Sequence, residues 1–361
     1  MIIGCLTEND LTESRVMVSP ETVKKLASKG FNIFIPKDYG KRSNISDKAF
    51  FDAGAQIKSE NEICKTSDII LKITQRDLNT YKSFKNKTCI LISFFDKSKD
   101  EIVKFISEKS LNIFALNYLP RITRAQSMDV LSSQANLAGY RAVIETAYEF
   151  NKVLPMMMTA AGTVTPAKYF IIGAGVAGLQ AIATAKRLGA IVSATDVRQA
   201  SKEQVESLGA KFIFVEDEEN LETDRGYAKE VSADYKKKQN ELLKETIKNQ
   251  DVVICTALIP GKKAPRILNE EMVLSMKPGS VICDLATSQG GNSAFSELDK
   301  IVEKNGIKII GHANFASRLA ETSSYLLSKN ILNFIDLIYD KENFKIKVNE
   351  EDDIIKGVTI K

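Results

Sequence analysis

The chain reads as an α/β fold of two domains, each a parallel sheet covered by helices. Three observations predict this. Its 361 residues exceed what one typical domain needs. Short apolar runs alternate with amphipathic stretches from end to end, the pattern of buried parallel strands between helices. A glycine-rich turn then joins one of those strands directly to a helix near the middle of the chain.

Toward the N-terminus, Met1–Leu6 reads as a strand, and Ser19-Pro20-Glu21 opens a helix to Ser28 that Gly30 terminates. Phe31–Ile35, Ile69–Ile73, Cys89–Phe94 and Ile113–Leu116 follow as buried strands. Residues 1–125 make the first domain, completed by a returning helix at 315–340 (Leu319–Ile338 its apolar stretch). A long helix links the domains over 126–150. Thr123 is its candidate N-cap, with Gln126 three residues on as in a capping box. Met128, Leu131, Ala135, Ala138 and Ala142 recur at helical spacing as one buried face.

The second domain spans 151–314. Its strands are Tyr169–Ile172, Ile191–Thr195, Lys211–Val215, Val252–Thr256, Val281–Leu285 and Lys308–Gly311. Helices Val176–Leu188, Lys202–Ser207, Glu241–Lys248 and Asn269–Met276 lie between them, a doubly wound order. Residues 341–361 read as a charged, poorly ordered tail.

Composition narrows the function classes. Hydrophobic residues at 44% and charged ones at 27% suit packed cores rather than disorder. Fifty basic against 46 acidic residues nearly cancel to a net +4, without the basic stripe that nucleic acid requires. The runs Glu216–Glu219 and Lys236–Lys238 read as solvated faces or a loop. Five separated cysteines form no CxxC pair, which suggests buried reduced thiols in a cytosolic protein. Met1–Leu6 leads straight to Glu8 and Asp10, unlike a signal peptide. The longest apolar stretch, Tyr169–Ala185, carries glycines and Gln180 and reads as strand plus helix, so no membrane insertion is expected.

Gly173-Ala174-Gly175-Val176-Ala177-Gly178 fits G-x-G-x-x-G. Alone that pattern is weak, but a strand enters it and a helix leaves it, so backbone N–H groups face a pyrophosphate. Gly173 permits the turn, Gly175 the approach of phosphate, and Gly178 close helix–strand packing. The next strand ends on Asp196, a carboxylate that accepts from the ribose hydroxyls and repels a 2′-phosphate. NAD(H) is therefore the expected cofactor, on a Rossmann-like domain, in the cleft between the two domains. Arg198 is the dissenting residue, since it suits a 2′-phosphate; beside Asp196 it reads as an adenine-side contact.

Gln126, Asp129 and Ser132 stand three apart and form a polar stripe opposite the Met128/Leu131/Ala135 face, with Arg121 just before it. From spacing alone the stripe is as well explained by a cap and a solvated face as by a ligand site. Chemistry is missing elsewhere. The one histidine, His312, follows a strand and reads as structural or cofactor-side. A His–carboxylate pair, a multi-histidine metal site and a Ser-His-Asp triad each lack material, and no metal is expected. Hydride transfer between two nicotinamides needs no acid or base, because no proton moves with the hydride.

The stretch Pro120-Arg121-Ile122-Thr123-Arg124-Ala125-Gln126-Ser127-Met128-Asp129 with Val130–Gln134 resembles a signature of the NAD(H)-binding component of the proton-translocating NAD(P)+ transhydrogenase family. Met156–Val164, Gly173–Arg187, Ala194–Arg198, Lys202–Gly209, Thr256–Pro260 and Lys277–Asp284 are further matching blocks, so the resemblance runs over residues 1 to 338. It implies that Arg121, Gln126, Asp129 and Ser132 surround the nicotinamide end of NAD(H), with Gln126 reaching toward NADP(H) on another subunit. It implies Ile122, Thr123, Ser127 and Met128 as further contacts, and Val176, Asp196, Val197 and Arg198 on the adenosine side. Gly226 and Tyr227 belong by the same matching to a mobile loop, with Gln239 and Leu258 as additional contacts. The activity implied is a Re/Si-specific transhydrogenase alpha subunit, active only with its partners. Those are a second copy in a homodimer, an NADP(H)-binding beta subunit and a separate membrane-spanning subunit that couples exchange to proton movement. Its place is the cytoplasmic side of the inner membrane.

The resemblance extends to alanine dehydrogenase, which shares the Arg15 and Lys72 positions. Yet Phe94-Phe95-Asp96 stand where its catalytic histidine is expected, and Ser288 where its acid is expected. Thr287-Ser288-Gln289 and Phe315-Ala316 also depart from the transhydrogenase pattern, which expects a glutamate-containing run and Val-Pro there. A non-catalytic NAD(H)-sensing module is the third reading.

Overall fold

The structure, a computed structural model, describes residues 1–360 except 75–79, 81, 85–88, 96–102, 106–107, 109–111, 216–232 and 259–262, and the backbone alone at 233–236. The chain divides into two compact units, residues 1–134 with 317–361 and residues 135–316.

The first unit is built on β1 (Ile2–Cys5), β2 (Asn32–Ile35), β3 (Ala55–Ile57), β4 (Ile69–Leu71), β5 (Ile90–Ser93) and β6 (Asn112–Ala115). These pair in parallel in the order β6-β5-β4-β1-β2-β3, with Ile3 opposite both Ile33 and Ile69. Isoleucine dominates the strands because both sheet faces are covered and β-branched side chains pack well on a pleated surface. The first helix, Pro20–Ser28, starts as its sequence predicts: Ser19 accepts from the Thr22 backbone N–H, and Thr22 closes the box back onto Ser19. β3 and the short helices Asp47–Asp52 and Glu60–Thr66 have no counterpart in the sequence reading; each is too short to show a period.

The tail is a correction. The chain after the Ala320–Leu337 helix forms a ribbon of β16 (Tyr339–Asp340) and β17 (Lys345–Ile346), the helix Asp353–Val358, and β18 (Thr359–Ile360). β18 pairs antiparallel with β6 and completes the sheet. Ile354, Ile355 and Val358 are all buried in the core of this unit, each worth about 1.5–3 kcal/mol. The acidic run Glu350–Asp353 hides these apolar residues from composition, and a two-residue strand carries no period.

The second unit opens on an exposed hairpin, β7 (Met157–Thr159) and β8 (Gly162–Val164). Its main sheet holds β9 (Lys168–Ile172), β10 (Ile191–Thr195), β11 (Lys211–Phe212), β12 (Val252–Cys255), β13 (Val281–Asp284), β14 (Ile301–Lys304) and β15 (Ile307–Ile310). The order β11-β10-β9-β12-β13-β15-β14 reverses direction between β9 and β12, the switch point where open α/β sheets bind ligands. All pairs are parallel except β14–β15, an edge hairpin that the sequence reading did not contain.

The expected long helix is two elements. Thr123–Met128 is a 3₁₀ helix, and the α-helix runs Val130–Glu149. Thr123 is no cap: the residue before the 3₁₀ turn is Ile122, without a side-chain cap bond. The buried face is divided too. Met128 and Leu131 pack on the first core, Ala138 and Ala142 on the second, and Ala135 on neither. Gly139 sets how near the helix lies to its neighbour, since a Cβ there would stand 2.0 Å from the Ala177 carbonyl oxygen.

Candidate functional site

The 3₁₀ helix organises one candidate site within the first unit. Three residues per turn make positions i and i+3 eclipse, which sorts its side chains into three rows. Ala125 and Met128 point into the core, buried to 1% and 5% exposure. Thr123 and Gln126, with Asp129 next in line, face a cavity of about 250 Å³ that Pro120, Arg121, Ile122 and Ser132 also line. Arg124 and Ser127 belong to the third row. The cavity is below the volume that buries a whole ligand and suits one end of a longer molecule.

Asp129 does the capping that the sequence reading gave to Thr123. One carboxylate oxygen accepts from the Ser132 backbone N–H at 2.9 Å and the other from the Ser132 hydroxyl at 2.6 Å. Among the described residues, the only carboxylate lining the cavity is thus occupied on both oxygens and orients Ser132. Of the residues named for this end, Arg121, Ile122, Thr123, Gln126, Asp129 and Ser132 come together. Met128 and Ser127 do not line the cavity: the three-residue period carries Met128 under Ala125, and the Ser127 carbonyl faces Asn330 and Asn333.

The glycine loop forms the second site, in the second unit. Gly173 has φ of +96° and donates its N–H to the Thr195 carbonyl at 2.8 Å. A Cβ on Gly178 would lie 1.8 Å from the Gly173 carbonyl oxygen, so only glycine lets the helix start here. A Cβ on Gly175 would meet nothing within 4 Å. The open space lies over Gly175 at the start of the Val176–Arg187 helix, where backbone donors and the helix dipole favour an anion. This cradle fits a dinucleotide pyrophosphate.

Asp196 sits beside it and is fully engaged. Its Oδ2 accepts from the Ala174 N–H at 2.7 Å, and its Oδ1 from the Arg198 N–H at 2.9 Å. The Arg198 guanidinium forks both oxygens, Nε at 2.9 Å and Nη2 at 2.8 Å. Arg198 thus pairs with Asp196 rather than standing apart as an adenine contact; two residues of separation bring the fork back onto the carboxylate. Val176 and Val197 flank the loop, Gln239 lies half-buried on the Ala233–Ile247 helix, and Leu258 is exposed after β12. Gly226 and Tyr227 lie outside the described residues. Two residues missed by sequence reasoning hold this region. Thr256 donates its hydroxyl to the Gly173 carbonyl at 2.9 Å. Buried Asn292 donates to the Ala257 and Pro265 carbonyls at 2.8 and 2.9 Å.

Arg15 and Lys72 are buried and paired. Arg15 forks Glu13 at 2.8 and 2.6 Å and reaches Gln134 at 2.9 Å, while Lys72 donates to Glu8 at 2.7 Å. Phe94 places its ring 6.0 Å from the Arg15 guanidinium carbon, and Phe95 is buried; Asp96 lies outside the described residues. His312 stands edge-on to buried Phe315. All five cysteines are buried and free; burial pushes the Cys5 thiol up to about 12 and those of Cys255 and Cys283 well above their usual value. Among the described residues no helix is long and apolar enough to cross a membrane, and no group of three His, Cys, Asp or Glu side chains is placed to hold a metal.

Residues 4–138 match the family described as "Alanine dehydrogenase/PNT, N-terminal domain" and 142–361 that described as "Alanine dehydrogenase/PNT, C-terminal domain". The chain is 49% identical over 358 residues to the first segment of a divided NAD(P) transhydrogenase alpha subunit of Rhodospirillum rubrum, covering 96% of this chain and 93% of that one. It is 42% identical over 361 residues to "NAD(P) transhydrogenase subunit alpha" of Haemophilus influenzae, covering 100% of this chain and 70% of that one. Among solved structures, a transhydrogenase from Sinorhizobium meliloti superposes with a TM-score of 0.90 at 46% identity, over 99% of this chain and 98% of that one. An L-alanine dehydrogenase shares the fold, with a TM-score of 0.82 at 22% identity over 99% and 94% of the two chains. The chain belongs to the alanine dehydrogenase/transhydrogenase family, among the NAD(P) transhydrogenase alpha subunits.

Proposed function

We propose that this chain is the NAD(H)-binding component of a proton-translocating transhydrogenase, and that hydride passes between its NAD(H) and NADP(H) held by a partner subunit. The cavity of Arg121, Gln126, Asp129 and Ser132 carries this reading. It is rich in groups that hold and orient, and the Asp129 carboxylate is committed to Ser132 and the helix end. A site that moves a hydride without a proton needs orientation and the exclusion of water, not a titrating group.

Under this reading the loop around Gly173, Gly175 and Gly178 holds the pyrophosphate and Asp196 receives the adenosine ribose. Ribose hydroxyls then take carboxylate positions that the Arg198 guanidinium occupies here. Arg121 and Gln126 orient the nicotinamide end, and the bound dinucleotide supplies the hydride itself. Phe94 and Phe95 where an acid–base histidine is expected, and exposed Ser288 in place of an acid, weigh against oxidation of an amino acid. Proton movement belongs to a separate membrane-spanning partner, which puts this chain at the cytoplasmic face of that membrane. A homodimer is part of the proposal, supported by Tyr148, Met156 and Met158, which are 83%, 63% and 83% exposed; such apolar exposure marks interaction surfaces. Sedimentation of the purified chain as a monomer would remove that element of it.

The decisive experiment is cyclic hydride exchange with the NADP(H)-binding partner. Gln126→Asn keeps the amide but shortens its reach. It is expected to leave NADH affinity within about threefold while slowing exchange about tenfold, equivalent to about 1.4 kcal/mol of barrier. Unchanged exchange removes Gln126 from the reaction. NADH formation from L-alanine and NAD+ would favour the dehydrogenase reading, and NADH binding without exchange a sensor.

A further inference from the structure

The third row of the 3₁₀ helix faces away from the cavity and is gripped by a distant stretch of the chain. Arg124 forks the Asp352 carboxylate, Nη1 to Oδ2 at 2.6 Å and Nη2 to Oδ1 at 2.7 Å, across 228 positions of sequence. The guanidinium holds the Asp352 carboxyl below the usual carboxylate range, so the pair stays charged at neutral pH. The Ser127 carbonyl receives two amide donors from the Ala320–Leu337 helix, Asn330 at 2.8 Å and Asn333 at 2.9 Å. Asn330 also accepts from the Ser133 hydroxyl at 2.8 Å, tying the start of the next helix to the same point. At the other end of the loop Pro120 lies against Gly357, where a Cβ would stand 2.9 Å from the proline ring.

Six residues is long for a 3₁₀ helix, whose hydrogen-bond geometry is poorer than that of an α-helix. Its last carbonyls have no partner within the helix. Bonds from outside therefore decide whether the segment keeps the three-residue period that aligns Gln126 with Asp129. Glycine at 357 in the Asp353–Val358 helix is poor for helix propensity, and its use there fits a need for close contact with Pro120.

We propose that Asp352, Asn330 and Asn333 are positioning residues for the cavity, and that the Asp352–Arg124 fork sets the orientation of Gln126. This rests on the reading that Gln126 faces the nicotinamide end. None of the three lines the cavity; they act through the loop.

Asp352 also caps the Asp353–Val358 helix by accepting from the Ile354 N–H. Asparagine caps as well as aspartate does, so Asp352→Asn keeps the helix and removes only the charged fork. Arg124 is 54% exposed, and Arg124→Lys keeps the charge but loses the planar fork. In the full chain with its NADP(H)-binding partner, both variants are expected to bind NADH within about threefold of wild type and to exchange hydride about tenfold more slowly, since small misplacements cost rate before affinity. The side-chain amide resonances of Gln126 are expected to shift in both nucleotide-free variants. Asp352→Glu, which can still reach Arg124, is expected to recover most of the rate. If Gln126→Asn slows exchange but Asp352→Asn and Arg124→Lys do not, the positioning role is overturned and the cavity reading stands. If Gln126→Asn has no effect, the cavity reading fails. If affinity falls as far as rate, the fork is merely structural, and that too overturns the proposal.

Discussion

The two candidate sites are built in opposite ways. The glycine loop is assembled from neighbours: β9, the turn and the Val176–Arg187 helix are consecutive, and Asp196 ends the next strand. The cavity loop is held from afar, by Asn330 and Asn333 more than 200 positions on and by Asp352, 228 positions from Arg124. A local site is specified by steric rules that every short segment must obey. A distant one depends on the completed sheet, because the Asp353–Val358 helix and β18 arrive last in the chain and dock on β6.

The difference can be broken at several points, beginning with the largest effect. Gly178→Val forces a side chain into the 1.8 Å approach to the Gly173 carbonyl. It is expected to raise the NADH dissociation constant about a hundredfold or more, as displacements near 1 Å do at tight sites; titration calorimetry showing normal affinity would end the local account of this loop. Asp129→Ala removes the cap of the Val130–Glu149 helix and is expected to cost about 1 kcal/mol in urea unfolding. A cost near zero would mean that the cap seen between Asp129 and Ser132 does not hold the helix start. The smallest effect is expected from Arg198→Ala. Freed of its guanidinium, Asp196 is expected to change NADH affinity by about threefold at most, with NADPH disfavoured further because a bare carboxylate repels a 2′-phosphate. Improved NADPH binding would show that Arg198 does not act by neutralising Asp196.

Legibility followed the same division. The parallel strands, the first helix and its Ser19 cap, the glycine loop and Asp196 all stand where the amino-acid pattern places them. The 3₁₀ segment misled, because i+3 spacing is shared by 3₁₀ and α geometry, and Thr123 with Gln126 imitates a capping box. Asn330 and Asn333 did leave a signal, two amides close together on a helix with a largely buried face, but nothing local says which carbonyl they serve. The tail was misread since its apolar residues are few and set among acids.

By itself the amino-acid order determined the α/β class, the strand–glycine–helix unit and the polar residues available at positions 121, 126, 129 and 132, because periodicity and steric demand act between near neighbours. Tertiary structure alone decided that Thr123–Met128 winds with three residues per turn, that Asp129 rather than Thr123 caps the following helix, and that Arg198 closes on Asp196. It also drew the last residues of the chain into the first unit's core. Each of these is a choice among locally similar alternatives, settled by contacts between segments that no local pattern connects.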